Sequence, residues 1–224
     1  TAVARVAAAG RNLGIRPGIV TEAADAPTAG AAGDGTGVLR VLVATAAESD
    51  DSVTAATVRD PMAVAAAFGI GVGGRFDAPV GGRIDPRWTR PVHVEATVVH
   101  LGDGEYPLSG AGYSGMTVTM GRHAVLATGN LRILVTELAA WSADPATWRH
   151  AGIEPDELDL LVVKSCTDYR ANFPDSAPFA EIAGVPGPAT PDLSRLRFRH
   201  VVPPPYPTQG WADTDAALRE SSDG

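Results

Sequence analysis

Two short segments of the sequence combine residue types and spacings that suit anion binding. In VVKSCTDYR (162–170), an apolar run ends at Lys164 and Ser165, and Arg170 follows one turn after Thr167. Open α/β sheets bind ligands at the carboxyl ends of their strands, and Lys and Arg bind carboxylates and phosphates. The segment therefore predicts an anion-recognition cluster. The alternative, a strand end with a solvated lysine and a capping serine, stays open.

The second segment, AGAAGDGT (29–36), is a loop of small residues that leads into an apolar helix. Asp34, Gly35 and Thr36 stand where that helix begins, and we expect the Thr36 hydroxyl to cap it. Free N–H groups at a helix start can bind an anion or a carboxylate. An ordinary loop with a turn at Asp34-Gly35 is the alternative, and composition alone favours it.

Other catalytic arrangements are weak in this sequence. The histidines form no HExxH motif and Cys166 has no CxxC partner, so we expect no complete metal site. Seven positions separate His93 from His100, which predicts side chains on opposite faces of one strand. GYSGM (112–116) lacks the second glycine of a nucleophile elbow. We expect Cys166 to be a small buried residue at a strand–helix junction rather than a nucleophile.

Length and composition exclude several classes of protein. The chain has 224 residues, 45% of them hydrophobic, which is enough for the core of one domain or two small ones. Its formal net charge of −8 disfavours nucleic acid and anionic membranes, whose phosphates are bound through surplus Lys and Arg. No apolar run approaches the roughly 20 residues of a membrane span. A single cysteine fits a reducing, cytoplasmic compartment.

The periodic patterns predict an α+β fold in which mixed α/β portions flank an antiparallel β-meander, without determining the strand order. Asp60-Pro61 and Asp144-Pro145 predict helix starts. Gly129-Asn130 predicts a hairpin, and LDLLVVK (158–164) predicts a strand buried on both faces, as in parallel sheets. Further helices are expected over 1–14, 36–47 and 165–173, and further strands over 18–25, 52–58, 92–99, 116–120, 123–128, 131–138 and 179–184.

Taken in order, these segments resemble the C-terminal domain of the microcystinase C (MlrC-like) metallopeptidases. That family has a DNPGGGxxGDGT loop, which is similar to DAPTAGAAGDGT (25–36) here. Its VVKSxxHFRAxF motif is similar to VVKSCTDYRANF (162–173), where Asp168 replaces His and Tyr169 replaces Phe. The Asp-Pro helix and the meander also match, and the resemblance spans about residues 15–207.

The resemblance implies a domain organisation and a function. It implies an N-terminal boundary helix over 1–14, the MlrC-like domain over 15–207 and a flexible tail over 208–224. Zinc and most catalytic groups would lie in a separate N-terminal domain, in cis or in trans, and this chain alone would be inactive. The residues expected to hold a peptide or small amide substrate, as in microcystin degradation, are Asp34, Gly35, Thr36, Lys164, Ser165 and Arg170.

Two other functions remain open at this stage. The chain can be a divergent, non-catalytic binding or interaction module that retains only the fold, and the replacement of the motif His by Asp168 favours divergence. The loss of two loop glycines, at Thr28 and Ala29, points the same way because glycine alone adopts positive φ easily. An independent small-ligand binder that uses Lys164 and Arg170 is the third hypothesis.

Overall fold

A computed structural model of the chain describes residues 2–46 and 52–192. The chain divides into two compact units, Thr1–Ala189 and Thr190–Gly224, and only residues 190–192 of the second are described. The tail predicted over 208–224 and the end of the domain predicted near 207 lie outside the described residues. Those domain boundaries therefore stay predictions.

The described residues form five α-helices and ten strands. The helices are α1 (Ala2–Leu13), α2 (Gly37–Thr45), α3 (Pro61–Ile70), α4 (Pro145–His150) and α5 (Tyr169–Asn172). The strands are β1 (Gly18–Thr21), β2 (Thr54–Arg59), β3 (Arg75–Val80), β4 (Val92–Gly102), β5 (Glu105–Pro107), β6 (Thr117–Thr119), β7 (His123–Thr128), β8 (Leu131–Thr136), β9 (Leu160–Val163) and β10 (Glu181–Ile182). No helix in these ranges is both long and apolar enough to cross a bilayer.

Eight strands form one sheet in the order β10-β1-β9-β2-β8-β7-β4-β3, and β5 pairs with β6 separately. The first five strands of that order run parallel, and β8, β7, β4 and β3 are antiparallel. The predicted α+β class is confirmed. The meander is not a separate region between two α/β portions, because β8 pairs in parallel with β2 and so continues the parallel half.

Two apolar clusters cover opposite faces of this sheet. In β9, Leu160 and Val162 join the cluster that contains residues of α2 and α3, whereas Leu161 and Val163 join the cluster around Trp148. Successive strand residues point to opposite faces, so this strand is buried on both, as its unbroken apolar run predicts. Burial on both faces is the arrangement that parallel strands need.

Both Asp-Pro pairs start helices as predicted, and each aspartate also holds a distant loop. Asp60 Oδ1 accepts hydrogen bonds from the N–H groups of Met62 and Ala63, at 3.0 Å each. Its Oδ2 accepts from Gly81 N at 2.7 Å and pairs with Arg83. At α4, the two carboxylate oxygens of Asp144 likewise accept from the first turn of the helix and from the loop after β5.

Strand β4 is long, and its two halves pair with different neighbours. Val92–Thr97 pairs with β3, and Thr97–Gly102 pairs with β7. The β3–β4 hairpin therefore extends past the end of β7. Its loop, residues 81–91, contacts the segment that follows β1, where Gly82 N donates to the Asp34 carbonyl oxygen at 2.8 Å.

A β-bulge between Val98 and His100 shifts the register of β4. The extra residue puts His93 and His100 on the same face, so the prediction that they face opposite sides is wrong. The His123 ring lies between the rings of His100 and His150, at centroid distances of 5.7 and 5.2 Å. Burial lowers the pKa of His123, which favours the neutral ring.

Several predicted elements are shorter than expected, among them the strand predicted over 179–184, which is confined to Glu181–Ile182. The strand predicted over 18–25 ends at Thr21, and a 3₁₀ turn follows at Ala23–Asp25. The helix predicted over 165–173 is confined to Tyr169–Asn172.

The buried Asp60 carboxylate gives a test of this framework. We expect Asp60→Ala to lower the free energy of unfolding by about 3 kcal/mol, because a helix cap is lost and a buried N–H group and a guanidinium lose their partner. Asp77→Ala, which removes a half-exposed carboxylate on β3, should cost about 0.5 kcal/mol or less. Urea denaturation followed by circular dichroism measures both, and equal losses would contradict the assignment.

Candidate functional site

At the end of β9, the Lys164 ammonium is enclosed by two carboxylates. Its Nζ lies 2.5 Å from Glu22 Oε2 and 2.9 Å from Asp25 Oδ2, both in the segment that follows β1. Nζ also donates to the carbonyl oxygen of Gly35 at 2.9 Å. The Lys164 side chain is 2% exposed, so this cluster is a buried junction between the ends of two neighbouring strands.

The electrostatics of this junction keep Lys164 charged. Burial by itself lowers the pKa of an ammonium, but the adjacent carboxylates of Glu22 and Asp25 outweigh it and raise the pKa of Lys164 well above its usual value. One cation faces two anions, so Lys164 carries no spare positive charge toward a ligand. The lysine predicted as an anion-binding residue lies at the expected strand end, but its positive charge is balanced by the buried Glu22 and Asp25 carboxylates.

The oxygens of these two carboxylates also accept backbone hydrogen bonds. Glu22 Oε1 accepts from Val38 N at 3.0 Å, in the first turn of α2. Asp25 Oδ1 and Oδ2 accept from Gly33 N and Gly35 N at 3.0 and 2.7 Å. The carboxylates thus link Lys164 to the loop before α2 and fix the shape of that loop.

Asp34 and Thr36 bind the 81–91 loop. Asp34 Oδ2 accepts from the N–H groups of Ile84 and Asp85, at 2.6 and 3.2 Å. Thr36 N donates to Thr89 Oγ1 at 3.1 Å, and the Thr36 hydroxyl donates to the Arg90 carbonyl oxygen at 2.6 Å. The prediction that this hydroxyl caps α2 is wrong, because it makes no capping bond and Glu22 receives the Val38 N–H instead.

Ser165 and Arg170 have separate surroundings. The Ser165 carbonyl oxygen accepts from the Thr21 hydroxyl, and its Oγ accepts from Asp168 N at 3.1 Å. Arg170 is exposed and its guanidinium lies over the Tyr169 ring, 5.8 Å from the centroid. Within the described residues no hydrogen bond or ion pair joins Arg170 to Lys164 or to the 34–36 turn, so the structure unites Lys164 with Gly35 and leaves Arg170 apart.

Beside the Lys164 junction lies a cavity of about 610 Å³. Glu22, Asp25 and Gly35 form its inner side, next to Lys164. Its outer sides come from α2, from the 81–91 loop and from the chain after β10. The outer lining residues are Thr36, Gly37, Arg40, Arg87, Trp88, Thr89, Arg90, Val185 and Pro186.

The arginines and the tryptophan of this cavity were not predicted from the sequence. Arg87, Trp88 and Arg90 are consecutive or nearly so, and that local density of cations and an aromatic ring in IDPRWTR (84–90) was a usable signal. Arg40 carried no comparable sequence signal, because it lies on the polar face of an otherwise ordinary amphipathic helix. Only the return of the 81–91 loop to α2 brings Arg40 next to Arg90.

The expected weak reactivity of Cys166 agrees with its surroundings. The thiol is partly buried and lies 3.6 Å from the carbonyl oxygen of Ala23. Burial, together with the nearby Asp168 carboxylate, raises the pKa of the Cys166 thiol. A raised pKa reduces the thiolate fraction, and the thiolate is the reactive form.

The side chains do not fit a zinc centre anywhere in residues 2–46 and 52–192. No group of three or more His, Cys, Asp or Glu in those ranges is placed to hold a metal ion. The acidic oxygens nearest the cavity are engaged by Lys164 and by backbone N–H groups.

Comparison with known proteins gives consistent matches. The family model described as MlrC C-terminus matches residues 20–200. Microcystinase C from Sphingomonas sp is 27% identical over 161 residues, which cover 71% of this chain and 30% of that protein. The crystal structure of a candidate metallopeptidase from Mesorhizobium sp. BNC1 shares the fold, with a TM-score of 0.74 and 23% identity, over 87% of this chain and 38% of that one. The chain therefore spans about a third of the length of each.

Removing the buried cation tests the Lys164 junction. We expect Lys164→Met to lower the free energy of unfolding by about 3–5 kcal/mol, because two buried carboxylates lose their counter-ion. Arg170→Met, at an exposed site with no carboxylate partner among the described residues, should change it by about 0.5 kcal/mol or less. Urea denaturation at neutral pH compares the two, and a Lys164 variant as stable as the Arg170 variant would refute the junction.

A pair of glycine variants tests the close packing of the loop. A Cβ at Gly35 would lie 2.7 Å from Asp25 Oδ2, whereas a Cβ at Gly69 in α3 meets nothing within 4 Å. We expect Gly35→Ala to destabilise the protein by about 2 kcal/mol, because the carboxylate must move. Gly69→Ala should stabilise it by up to about 1 kcal/mol through helix propensity. Thermal and urea unfolding measure both, and a neutral Gly35→Ala would contradict the geometry.

Proposed function

Because the chain belongs to the MlrC C-terminus family, we propose that it is the C-terminal domain of an MlrC-like zinc metallopeptidase. In this proposal it shapes the substrate cleft for hydrolysis of a peptide or small amide, and it is inactive without the metal-holding domain. That domain precedes it in the same protein or joins it as a separate chain. Microcystin-like peptides are the first substrates to test, since one relative is a microcystinase.

The observation that carries this proposal is the position of the cavity. It opens beside the carboxyl ends of β1 and β9, at the edge where parallel sheets bind ligands. The residues that fix its inner side, Lys164 and Gly35, belong to the two segments that carry the resemblance to the family. These segments therefore favour a role in forming one wall of the substrate cleft over a role in the reaction itself.

The described residues supply positioning rather than bond-breaking chemistry. Lys164 holds Glu22 and Asp25, these carboxylates fix the loop before α2, and Asp34 with Thr36 fixes the 81–91 loop. A rigid cleft wall orients a bound amide and lowers the entropic cost of reaching the reactive geometry. Zinc, which polarises an amide carbonyl and activates water when bound, would be held by residues outside those described here.

The second candidate function is a non-catalytic binding module with the same fold. The specific observation in its favour is Asp168, which replaces the family His. Asp168 lies beside Lys164, Ser165 and Asn172 around a small cavity of about 10 Å³. An additional carboxylate there changes the charge next to the junction and is compatible with lost activity. A cytoplasmic location remains part of both proposals, because the single free cysteine fits a reducing compartment.

The test joins this chain to its metal-holding domain. We expect the reading frame upstream of Thr1, or a neighbouring gene, to encode a domain rich in His, Asp and Glu. The assembled protein should contain stoichiometric zinc by elemental analysis and cleave linear peptides. A chelator should abolish that cleavage and added zinc should restore it. The 224-residue chain by itself should bind no stoichiometric zinc and cleave nothing.

Variants of the assembled protein separate a cleft role from metal binding. Trp88→Ala should lower kcat/KM at least about tenfold through lost substrate positioning, with the zinc content unchanged. Arg132→Gln, at the start of β8 and outside the cavity lining, is the control and should retain the wild-type rate. Zinc and hydrolysis in the isolated chain would overturn the proposal, and an assembled protein without hydrolysis would favour the binding module.

A further inference from the structure

The negative charges around the 610 Å³ cavity lie on its inner side, and the positive charges lie on its rim, which is the outer lining formed by α2 and the 81–91 loop. On the inner side, the Glu22 and Asp25 oxygens are engaged by Lys164 and by backbone N–H groups. On the rim, Arg40 and Arg90 have no carboxylate partner among the described residues. In a chain with a net charge of −8, two unpaired guanidiniums at one cavity are an uneven distribution of charge.

These two guanidiniums are held in place by backbone carbonyl groups. Arg40 Nη2 donates to the carbonyl oxygens of Arg90 and Pro91, at 2.9 and 3.3 Å. Arg90 Nη1 donates to the carbonyl oxygen of Thr89 at 2.9 Å and to that of Pro86. Neutral acceptors leave the positive charge uncompensated, and each guanidinium keeps further N–H groups for a ligand. A pre-positioned guanidinium binds a carboxylate at a lower entropic cost.

The third rim arginine behaves differently. Arg87 makes a two-point ion pair with Asp85, with both N–O distances at 2.8 Å, so its charge is already compensated. Between Arg87 and Arg90 in the chain, Trp88 is 41% exposed and lines the cavity. The cavity therefore combines two available cations with an exposed apolar surface.

We propose that this cavity binds a carboxylate group through Arg40 and Arg90, with the adjoining part of the ligand against Trp88. Guanidinium forks match a planar carboxylate in shape and charge. Trp88 in the cavity lining offers an apolar contact to the carbon chain that carries a carboxylate, and inorganic phosphate has no such chain, so an acidic peptide should bind more tightly than phosphate. The identification of this ligand as a substrate rests on the proposed function, whereas binding itself does not.

Calorimetry on the 224-residue chain tests the site without any hydrolysis. Acetyl-Ala-Glu-Ala-amide is compared with acetyl-Ala-Gln-Ala-amide, and acetyl-Ala-Ala-Ala with a free carboxyl terminus is compared with its amide. We expect at least one acid to bind about tenfold tighter than its neutral counterpart, because charge-assisted hydrogen bonds are lost in the amide. The pair that shows the difference tells whether the carboxylate comes from a side chain or from a chain terminus.

Variants assign the effect to the cavity. Arg40→Gln and Arg90→Gln should each weaken binding of the preferred acid about tenfold, and Arg90→Lys should weaken it less because the charge is kept. Arg132→Gln is the matched control, since Arg132 also donates to backbone carbonyls and has no carboxylate partner among the described residues. Its affinity should remain within about twofold of the wild type, as expected for a charge outside the site.

Several outcomes would overturn the carboxylate site. The first is equal affinity for the acids and their amides. The second is a loss of affinity in Arg132→Gln as large as that in Arg40→Gln or Arg90→Gln. The third is tighter binding of inorganic phosphate than of either acidic peptide. Unfolding midpoints of the Arg40 and Arg90 variants must match the wild type, and Arg90→Lys provides a second reading if Arg90→Gln unfolds. Carboxylate binding without hydrolysis in the assembled protein would leave this site intact and refute the proposed function, so the two fail separately.

Discussion

The architecture of the cavity depends on one buried ammonium held between two carboxylates. Lys164, Glu22 and Asp25 lie at or just after the ends of neighbouring parallel strands, and their side chains are only 2–7% exposed. Charges in such a place are tolerated only when they are paired and hydrogen-bonded, because desolvation of an isolated ion is costly. The pairing thus fixes how the segment after β1 and the segment after β9 meet, and through Gly35 it also holds the loop before α2 that lines the cavity.

Buried carboxylates organise the remaining loops in the same way. Asp34 holds the N–H groups of Ile84 and Asp85, Asp60 holds Gly81, and Asp144 holds Gly110. Irregular backbone that runs beside a sheet needs partners for its polar groups. In this glycine-rich chain, acidic side chains supply those partners from a distance. The family segments around Asp34 and Lys164 are therefore explained by the shape they impose, while the groups available to a ligand lie on the 81–91 loop and on α2.

Predictions from the sequence succeeded where the cause was local. The apolar run before Lys164 formed a strand buried on both faces, Asp60-Pro61 and Asp144-Pro145 began helices, and Gly129-Asn130 closed the β7–β8 hairpin. Each of these signals acts within a few residues. Predictions failed where a distant partner intervened: the Thr36 hydroxyl turned to Arg90 rather than to α2, and one bulge in β4 brought His93 and His100 to the same face.

The sequence by itself determined the α+β class, the positions of most helices and strands, and the placement of Lys164 at the end of a buried strand. The reason is that periodicity, capping and turn chemistry depend on neighbours along the chain. Only the tertiary structure decided that Lys164 is neutralised by Glu22, 142 positions away, and that Arg40 and Arg90 share a cavity while Arg170 lies apart. Those outcomes depend on strand order and on the reach of the β3–β4 hairpin, which no local pattern encodes.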